Sequence, residues 1–418
     1  FELGGGWGLD VGVANGEARL SRDLFSIPSY GPSGALSLSY SSLETSAAGR
    51  FGIGWSSNLT QYLTFDAPEI VVWHRADGGR VPFGKVAGAW TALAGHYETL
   101  SLAGSEYTIL RKDQSTLVFE TTGTGRLRRE VDRFGKALTL GWAATSATAT
   151  DATTPAGRTT TLAIDAGSDR ITSVTDSAGR TWSFGYTGTS LTSVTEPDPD
   201  YDPAGATNGP KTAAVTSLGY IGGFLTSVTR TRSRVTGAAE TLLWTIGYAG
   251  GKATEVTDPV AATAPSTFTY DTRSTSVELL RETSPAVVRD TWLYATDALG
   301  RVTGLTDPLG FITSTTFDAV SNPTSIFRPF GTGAAQSESR YTYDAKGNVL
   351  TEIVPIDGSQ KPINVSRHPD NDGNPTWSPD GKLLAFTGRR GRPCPKLSMA
   401  RSEGRENSRR DASGPIRG

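Results

Sequence analysis

The sequence predicts an all-β protein built as an antiparallel ribbon of hairpins. Charged residues make up only 20% of the chain while Gly reaches 49 residues, a balance that suits strands and turns better than helices. Alternation is clear in "ALSLSYSS", where Leu36, Leu38 and Tyr40 would share one face of a strand. A recurring phrase, written "YDAKGNVLTEI" at 343–353, supplies the third observation.

The recurring phrase is an Asp, two free positions and a Gly that lead into an alternating apolar run. Versions of it stand at 131–140, 175–184, 296–305 and 306–315. An Asp here can accept backbone N–H groups across a turn, and a Gly adopts positive φ without steric cost. We therefore predict structural turn residues rather than catalytic carboxylates or calcium ligands. The predicted turn residues are Asp132, Gly135, Asp176, Gly179, Asp297, Gly300, Asp307, Gly310, Asp344 and Gly347.

Near copies of a second phrase recur between these turns. "LTSVT" stands at 191–195 and again at 225–229, and "WSFGY" at 182–186 has a relative, "WTIGY", at 244–248. The spacing of the repeats is irregular, which favours hairpins of unequal length over a solenoid or propeller with a tight period.

Charge, cysteine and hydropathy exclude several classes of protein. A formal net charge of −2 provides no basic field for nucleic acid. A single cysteine, Cys394, excludes an intrachain disulfide framework, and no run of eighteen apolar residues predicts a membrane-spanning helix. The chain opens at Phe1 and its only methionine is Met399, so we expect an internal piece of a longer protein with any export signal upstream.

Motifs for catalysis or cofactor binding do not occur in the sequence. It has no phosphate-binding loop, no His-Glu-x-x-His and no Gly-x-Ser-x-Gly, and its three histidines are scattered. We predict no enzyme, no cofactor and no catalytic or metal residue. Calcium remains a minor alternative at the Asp-rich stretches 196–205 and 368–375.

Aromatic residues on the repeated strands have two interpretations. Alternating aromatics usually form sheet core, and we favour that interpretation. Stacking on a sugar is the alternative. The residues concerned are Trp182, Tyr186, Trp244 and Tyr248.

These phrases resemble the YD repeats of RHS proteins, the family that includes bacterial polymorphic-toxin shells and, more distantly, teneurins. "YDAKGNVLTEI", "TDALGRVTGL" and "SVTDSAGRTWSFGY" carry the resemblance, and the stretch from "VANGEARLSRDLF" to "SSNLTQYL" is similar to the domain that often opens an RHS core. The resemblance covers about 9–354. It implies a β ribbon that spirals into a hollow shell, which in toxin members encloses a C-terminal toxin released by self-cleavage.

The sequence departs from the toxin members at the end of the repeats. It has no core-terminating Asp-Pro-x-Gly segment followed by a variable domain, and "DPLG" at 307–310 lies between repeats, where we predict a turn. For this reason no residue of this chain is assigned a role in self-cleavage from the resemblance.

The motifs and the composition of the sequence change after about residue 365. "NPTWSPDGKLLAFTG" at 374–388 resembles one TolB-type propeller repeat, which supplies at most a hairpin. Residues 389–418 carry nine basic and three acidic residues, and we predict a disordered tail rather than a site for an anionic partner. We expect a fusion, a truncation or an out-of-frame translation at this junction.

The predicted organisation follows from these observations. The segments are an RHS-opening N-terminal β domain (1–75), a strand region of the shell (76–164), YD/RHS repeats (165–365), a single TolB-like repeat (366–388) and a disordered basic tail (389–418).

The predicted function is that of a non-enzymatic shell fragment from a secreted or surface protein, serving toxin encapsulation and delivery or cell contact. Its expected partners are an encapsulated C-terminal toxin domain missing from this chain and a cell-surface carbohydrate, with no nucleic acid and no membrane span. The alternative is a carbohydrate-binding adhesion repeat protein without cargo. We also expect residues 1–365 alone to aggregate through unpaired strand edges.

Overall fold

A computed structural model describes most of the chain as antiparallel β-structure. The described residues are 1–45, 49–121, 125–142, 150–199, 213–232, 239–259, 262–282, 286–329, 336–354, 372–377, 383–388 and 396–401. Within these ranges there is no α-helix, and every strand pairing given is antiparallel. The all-β prediction is confirmed.

Contacts between residues divide the chain into two units, Phe1–Gly300 and Arg301–Gly418. The domain boundaries expected from the sequence stay predictions, since they rest on changes in composition and on the resemblance.

The first unit opens with a five-stranded meander, here called the N-terminal sheet. Its strands alternate strictly: in "ARLSRDLF", Ala18, Leu20 and Leu24 are buried while Ser21 and Asp23 are exposed. Period-two burial of this kind gives the sheet one apolar face that must be covered. The strands are β1 (Glu2–Gly4), β2 (Trp7–Val11), β3 (Ala18–Phe25), β4 (Leu36–Ser41) and β5 (Trp55–Ser57).

A four-stranded meander follows the N-terminal sheet. Its central strand "IVVWH" is nearly all buried, from Val71 to His74. The strands are β6 (Tyr62–Ala67), β7 (Ile70–His74), β8 (Arg80–Val86) and β9 (Ala89–Ala92).

The rest of the first unit is a long run of hairpins, here called the ladder, in which each strand pairs with the next in sequence order. Its strands are β10 (Thr99–Ala103), β11 (Glu106–Leu110), β12 (Thr116–Glu120), β13 (Leu127–Val131), β14 (Ala137–Gly141), β15 (Thr150–Thr153), β16 (Thr159–Ile164), β17 (Ile171–Thr175), β18 (Thr181–Thr187), β19 (Ser190–Thr195), β20 (Val215–Ile221), β21 (Phe224–Arg232), β22 (Glu240–Ala249), β23 (Lys252–Thr257), β24 (Ser266–Tyr270), β25 (Ser274–Glu282) and β26 (Val288–Thr296).

The two faces of the ladder differ in chemistry. On β18, Trp182 and Phe184 are buried while Thr181 and Ser183 are exposed, and β20 repeats the pattern with buried Leu218. One face is therefore apolar and the other is rich in hydroxyl groups. The apolar face joins the apolar face of the N-terminal sheet in one core, through ring pairs such as Phe25–Trp182 with centroids 4.5 Å apart.

The second unit contains five more hairpin strands and a separate three-stranded sheet. The hairpin strands, in order of pairing, are β27 (Val302–Thr306), β28 (Ile312–Phe317), β29 (Pro323–Pro329), β30 (Gln336–Tyr343) and β31 (Val349–Ile353). The three-stranded sheet consists of β32 (Asp372–Trp377), β33 (Leu383–Gly388) and β34 (Lys396–Arg401).

Within residues 366–418, the structure describes only the residues of these last three strands. The predicted TolB-like segment contains the β32–β33 hairpin, and its assignment to a propeller stays a prediction. The predicted disordered tail includes strand β34 at Lys396–Arg401, and the assignment of disorder stays a prediction. The tail's other residues lie outside the described residues.

Candidate functional site

The Asp-x-x-Gly turns are five-residue loops with one repeated hydrogen-bond pattern. At Asp344, the backbone N–H donates to Asn348 O at 3.0 Å, and Gly347 N–H returns to Asp344 O at 3.0 Å. The Asp344 carboxylate accepts from the backbone N–H of Lys346 and of Asn348, both at 2.8 Å. Gly347 has φ +69°. This is a turn whose carboxylate is occupied by the loop itself.

The other predicted turn aspartates lie in the same surroundings. Each carboxylate accepts the backbone N–H two residues on, and each fourth residue is a glycine with positive φ: Asp132 with Gly135, Asp176 with Gly179, Asp297 with Gly300 and Asp307 with Gly310. Asp176 also receives Arg180, whose Nε lies 2.8 Å from Oδ2. These Asp carboxylates therefore stabilise their own turns.

Three further loops have this geometry although they do not carry the Asp-x-x-Gly phrase. They span 75–79, 111–115 and 154–158, and they begin with Arg75, Arg111 and Thr154 rather than Asp. In each, the first residue's N–H donates to the fifth residue's carbonyl at 2.8–2.9 Å. The fourth position carries the signal that could have found two of them, since it is Gly at 78 and 157, but Gln114 fills it with φ +68°.

A second device repeats within the ladder, where a tyrosine hydroxyl caps a β-bulge on the preceding strand. Tyr220 Oη donates to Leu191 O at 2.8 Å, and Tyr248 Oη donates to Leu225 O at 3.0 Å. The acceptor carbonyls sit beside an extra residue in their strands, as at Thr192, so regular pairing is interrupted there. The same bond joins Tyr186 to Ile171, Tyr270 to Ala253 and, in the second unit, Tyr343 to Pro323.

Three of the bulges face a glycine on the neighbouring strand, namely Gly185, Gly219 and Gly247, whereas the bulge at Thr172 faces Ala163. A Cβ built on Gly185 would lie 2.3 Å from Ser193 Oγ, and one on Gly219 would lie 2.2 Å from Ser227 Oγ. The bulge residue Thr192 uses the space by donating its hydroxyl to Gly185 O at 3.2 Å. Phrases such as "FGYTGTSLTSVT" are therefore explained by tyrosine, glycine and threonine acting on one bulge.

Burial keeps these hydroxyl groups protonated. It raises the pKa of Tyr186, Tyr220 and Tyr248 well above the ordinary value, and it raises the pKa of Tyr270 to about 12. A hydroxyl with a raised pKa remains a hydrogen-bond donor at neutral pH. The row can hold strands together, and it does not provide a general base.

The N-terminal sheet is attached to the ladder by directed hydrogen bonds as well as by apolar packing. Trp55 Nε1 donates to Tyr220 Oη at 2.8 Å, so a capping tyrosine is tied to the sheet above it. Trp7 Nε1 donates to Thr216 Oγ1 at 3.1 Å, and Leu225 N–H donates to Tyr40 Oη at 3.0 Å. Because donors must align in angle as well as distance, these bonds fix the position of the sheet on the ladder.

Backbone hydrogen bonds extend this interface along the ladder. They run from Ile171 N–H to Arg50 O, from Ile53 N–H to Thr189 O and from Ala253 N–H to Gly16 O, at 2.8–3.1 Å. The contact points span β17 to β23, so a sheet formed by the first 57 residues covers the apolar face of several hairpins.

A cluster of charged groups lies inside the same interface. Glu196 Oε1 lies 2.6 Å from Arg22 Nη1 and 3.1 Å from Arg230 Nη2. Both arginine side chains are largely buried, and Arg230 lies under Gly5, where a Cβ would meet its guanidinium at 1.7 Å. The glycine run "GGG" at 4–6 therefore makes room for an arginine and does not cradle a phosphate.

The four aromatic residues considered for sugar stacking are part of the core packing. Trp182 and Trp244 are each only 4% exposed, so their ring faces are covered by protein. Tyr186 and Tyr248 are half-buried and point their hydroxyl groups at backbone carbonyls. These four side chains form no open stacking platform.

One buried polar relay lies outside the ladder. His74 Nδ1 lies 3.2 Å from Glu44 Oε2 and its Nε2 lies 3.1 Å from Thr64 Oγ1. Arg80 Nε shares the same Glu44 oxygen at 3.1 Å, and Tyr62 stacks on the imidazole at 4.2 Å. The Glu44 carboxylate thus accepts from two donors. It orients His74, which lies at the end of strand β7 in the four-stranded meander.

Metal-binding groups are not assembled in the part of the chain that the structure describes. No group of three or more His, Cys, Asp or Glu there could hold a metal ion. The Asp-rich stretches 196–205 and 368–375 lie mostly outside the described residues, so calcium remains a prediction. Among the described residues, no helix is long and apolar enough to cross a membrane.

The chain was compared with protein families and with curated protein sequences. The family described as "Domain of unknown function (DUF6531)" matches residues 8–83. No curated protein sequence matches the chain.

Among solved structures, the chain is similar to three crystal structures that contain TcdB2-TccC3. The structure of TcdB2-TccC3-Cdc42 is 13% identical with a TM-score of 0.32, and the match covers 88% of this chain and 23% of that one. TcdB2-TccC3-TEV gives 13% and 0.33, covering 92% and 23%, and TcdB2-TccC3 gives 13% and 0.32, covering 91% and 24%. The chain thus spans about a quarter of each of these chains.

Proposed function

We propose that the chain is a non-catalytic segment of an RHS-type shell, in which the ladder forms wall and the N-terminal sheet covers the wall's apolar face. The whole protein would be secreted or surface-exposed and would enclose a C-terminal domain. A role in cell contact is compatible with the same architecture. The observation that carries the proposal is the seating of the N-terminal sheet across strands β17 to β23 of the ladder.

The chemistry of the repeats supports a wall rather than a reaction centre. The turn carboxylates accept backbone N–H groups of their own loops, as Asp132 and Asp307 do. The tyrosine hydroxyls donate hydrogen bonds to backbone carbonyls at the bulges. Groups committed in this way favour rigidity over proton transfer or metal binding.

A wall needs one covered face, and the N-terminal sheet supplies the cover here. Without it, apolar side chains such as Phe184, Leu218 and Ile246 would face solvent on neighbouring strands. Exposed apolar area of that extent promotes association. The hydroxyl-rich face opposite, with Ser183 and Thr181, would be the face in contact with water or cargo.

A wedge at the interface tests the proposal in the intact gene product. Gly52 has φ +99°, and a Cβ there would lie 2.7 Å from the ladder's Thr189 O. Gly6 has φ +78° with nothing within 4 Å of the added atom, so it provides a matched control. We expect Gly52→Ala to speed proteolysis of the region C-terminal to the repeats, while Gly6→Ala leaves it near the wild-type rate.

Limited proteolysis followed by mass spectrometry of the fragments measures this directly. If the C-terminal region is cut as fast in the wild-type protein as in a separately expressed copy of that region, the shell proposal is wrong. Unchanged thermal unfolding in both variants would show that any difference in cutting reflects enclosure rather than global stability.

A further inference from the structure

An exposed cluster of aromatic and cationic side chains lies at one edge of the ladder. We call it the edge patch and define it as Tyr30, Arg133, Phe134, Lys136 and Arg158. We propose that the edge patch is a docking surface for an anionic lipid membrane surface.

The patch is built where a loop of the N-terminal sheet lies over two ladder turns. The loop 27–34 closes on itself through Ile27 and Gly34, which exchange backbone hydrogen bonds at 3.1 and 3.2 Å. Tyr30 Oη donates to Pro155 O in one turn, and Arg158 Nη1 donates to Pro28 O at 3.2 Å. The patch is therefore held in place from two sides.

Both aromatic rings of the patch are exposed to solvent. Tyr30 is 66% exposed and Phe134 is 73% exposed. Arg133 lies over the Phe134 ring at 4.8 Å, and the Lys136 ammonium lies over the Tyr30 ring at 5.6 Å. Apolar rings flanked by cations are the arrangement that suits a membrane interface, where rings sit at the headgroup level and cations meet phosphates.

The cations of the patch are not neutralised by neighbouring acids. Among the described residues, none of Arg133, Lys136 and Arg158 forms an ion pair with a carboxylate, and all three are exposed. Consecutive turns on one edge of a ladder are two strands apart, so Lys136 and Arg158 stand about 10 Å from each other along the edge. Charge complementarity therefore selects an anionic partner.

Three backbone N–H groups at the patch are already hydrogen-bonded within their own turn. Phe134 N–H and Lys136 N–H both donate to Asp132 Oδ1, at 2.9 and 2.8 Å. Gly135 N–H donates to Asp132 O at 3.0 Å. Three amides at the tip of this turn are thus already hydrogen-bonded, so few donors lose a partner when the turn enters a headgroup layer. Exposed rings beside these cations match the composition of a membrane interface.

Vesicle co-sedimentation of the full chain tests the proposal. The probes are phosphatidylcholine vesicles with and without phosphatidylserine, at low and high salt. We expect binding that requires phosphatidylserine and weakens with salt. We expect Arg133→Glu with Lys136→Glu to reduce binding by about tenfold or more, and Phe134→Ser to reduce it by about threefold to tenfold.

The control is Leu309→Ser, because Leu309 occupies the same turn position as Phe134, is 81% exposed, and lies outside the patch. Basic residues in 389–418 contribute equally to all variants, so the loss in the Arg133 and Lys136 double variant measures the patch alone. Wild-type binding by the double variant, or equal binding to vesicles without phosphatidylserine, would overturn the proposal. So would competition by polyglutamate or DNA that removes the patch-dependent binding at lower charge concentration than phosphatidylserine vesicles.

Discussion

Tyr220 Oη receives Trp55 Nε1 at 2.8 Å and donates to Leu191 O at 2.8 Å. One hydroxyl thus joins the N-terminal sheet, a ladder strand and a bulge of the neighbouring strand. Both bonds are partly buried, so a side chain without an oxygen at position 220 would leave two polar groups unpaired.

Tyr220→Phe should therefore lower the free energy of unfolding by about 1–3 kcal/mol, the cost of leaving buried hydrogen-bonding groups unsatisfied. Denaturant unfolding followed by tryptophan fluorescence measures the change. Tyr294→Phe is the matched control, because Tyr294 packs against the same core and its hydroxyl makes no hydrogen bond among the described residues. Equal stability of the two variants would contradict the role assigned to Tyr220.

Gly219→Ala should destabilise the first unit by roughly 1–3 kcal/mol, because the added Cβ would lie 2.2 Å from Ser227 Oγ. Adding Ser227→Ala should recover part of the loss by removing the clashing oxygen. Gly84→Ala is the control, since nothing lies within 4 Å of its Cβ. A thermal melt that gives the same shift for Gly219→Ala with and without Ser227→Ala would argue against the clash.

Ser321→Gly should stabilise the second unit by about 0.5 kcal/mol, because Ser321 holds φ +70° at a place that is glycine in the predicted Asp-x-x-Gly turns, and this gain exceeds the loss of the Arg301 Nη1–Ser321 Oγ bond at 3.3 Å. The reciprocal change, Gly347→Ala at φ +69°, should destabilise it by about 1 kcal/mol. Hydrogen exchange of β28–β31 amides would report both changes. Shifts of the same sign in the two variants would refute the strain argument.

Alkaline pH should destabilise the first unit. Burial raises the pKa of Tyr270 to about 12, whereas an unfolded tyrosine loses its proton near pH 10. The folded state therefore holds a proton that the unfolded state releases, so stability is complete below about pH 10 and falls as pH rises toward about 12. Melting temperature against pH checks this, with tyrosinate absorbance as a second signal. A melting temperature that stays constant across this window would contradict it.

The hairpin ladder was predictable because its determinants are local. An Asp and a Gly three positions apart specify the turn at Asp344, and alternation specifies the buried face at Trp182. The turn at Arg111 was not predictable from that rule, because it begins with Arg rather than Asp and Gln114 takes the positive φ. The bulges were also missed, since a bulge exists only once two strands have been paired.

The candidate site was less predictable than the fold. Trp7 meets Thr216 across 209 positions of the chain, and no periodicity indicates which distant residue a tryptophan will contact. The sequence likewise left the four ladder aromatics open between core and ligand, and burial by the N-terminal sheet decides their surroundings. Long-range packing supplied the information that local rules lacked.

The position of the N-terminal sheet on the ladder has a consequence for synthesis. The first strands leave the ribosome long before Thr216 and Ala253, the residues that complete their interface. Contacts of such high sequence separation form late and slow folding. During translation the nascent sheet presents Leu9, Leu20 and other apolar side chains with no partner yet made, which is the situation in which chaperones are needed. The growing chain must be kept from self-association until about two hundred further residues have emerged, because Ala253 lies 196 positions (253 − 57) after the last residue of the N-terminal sheet.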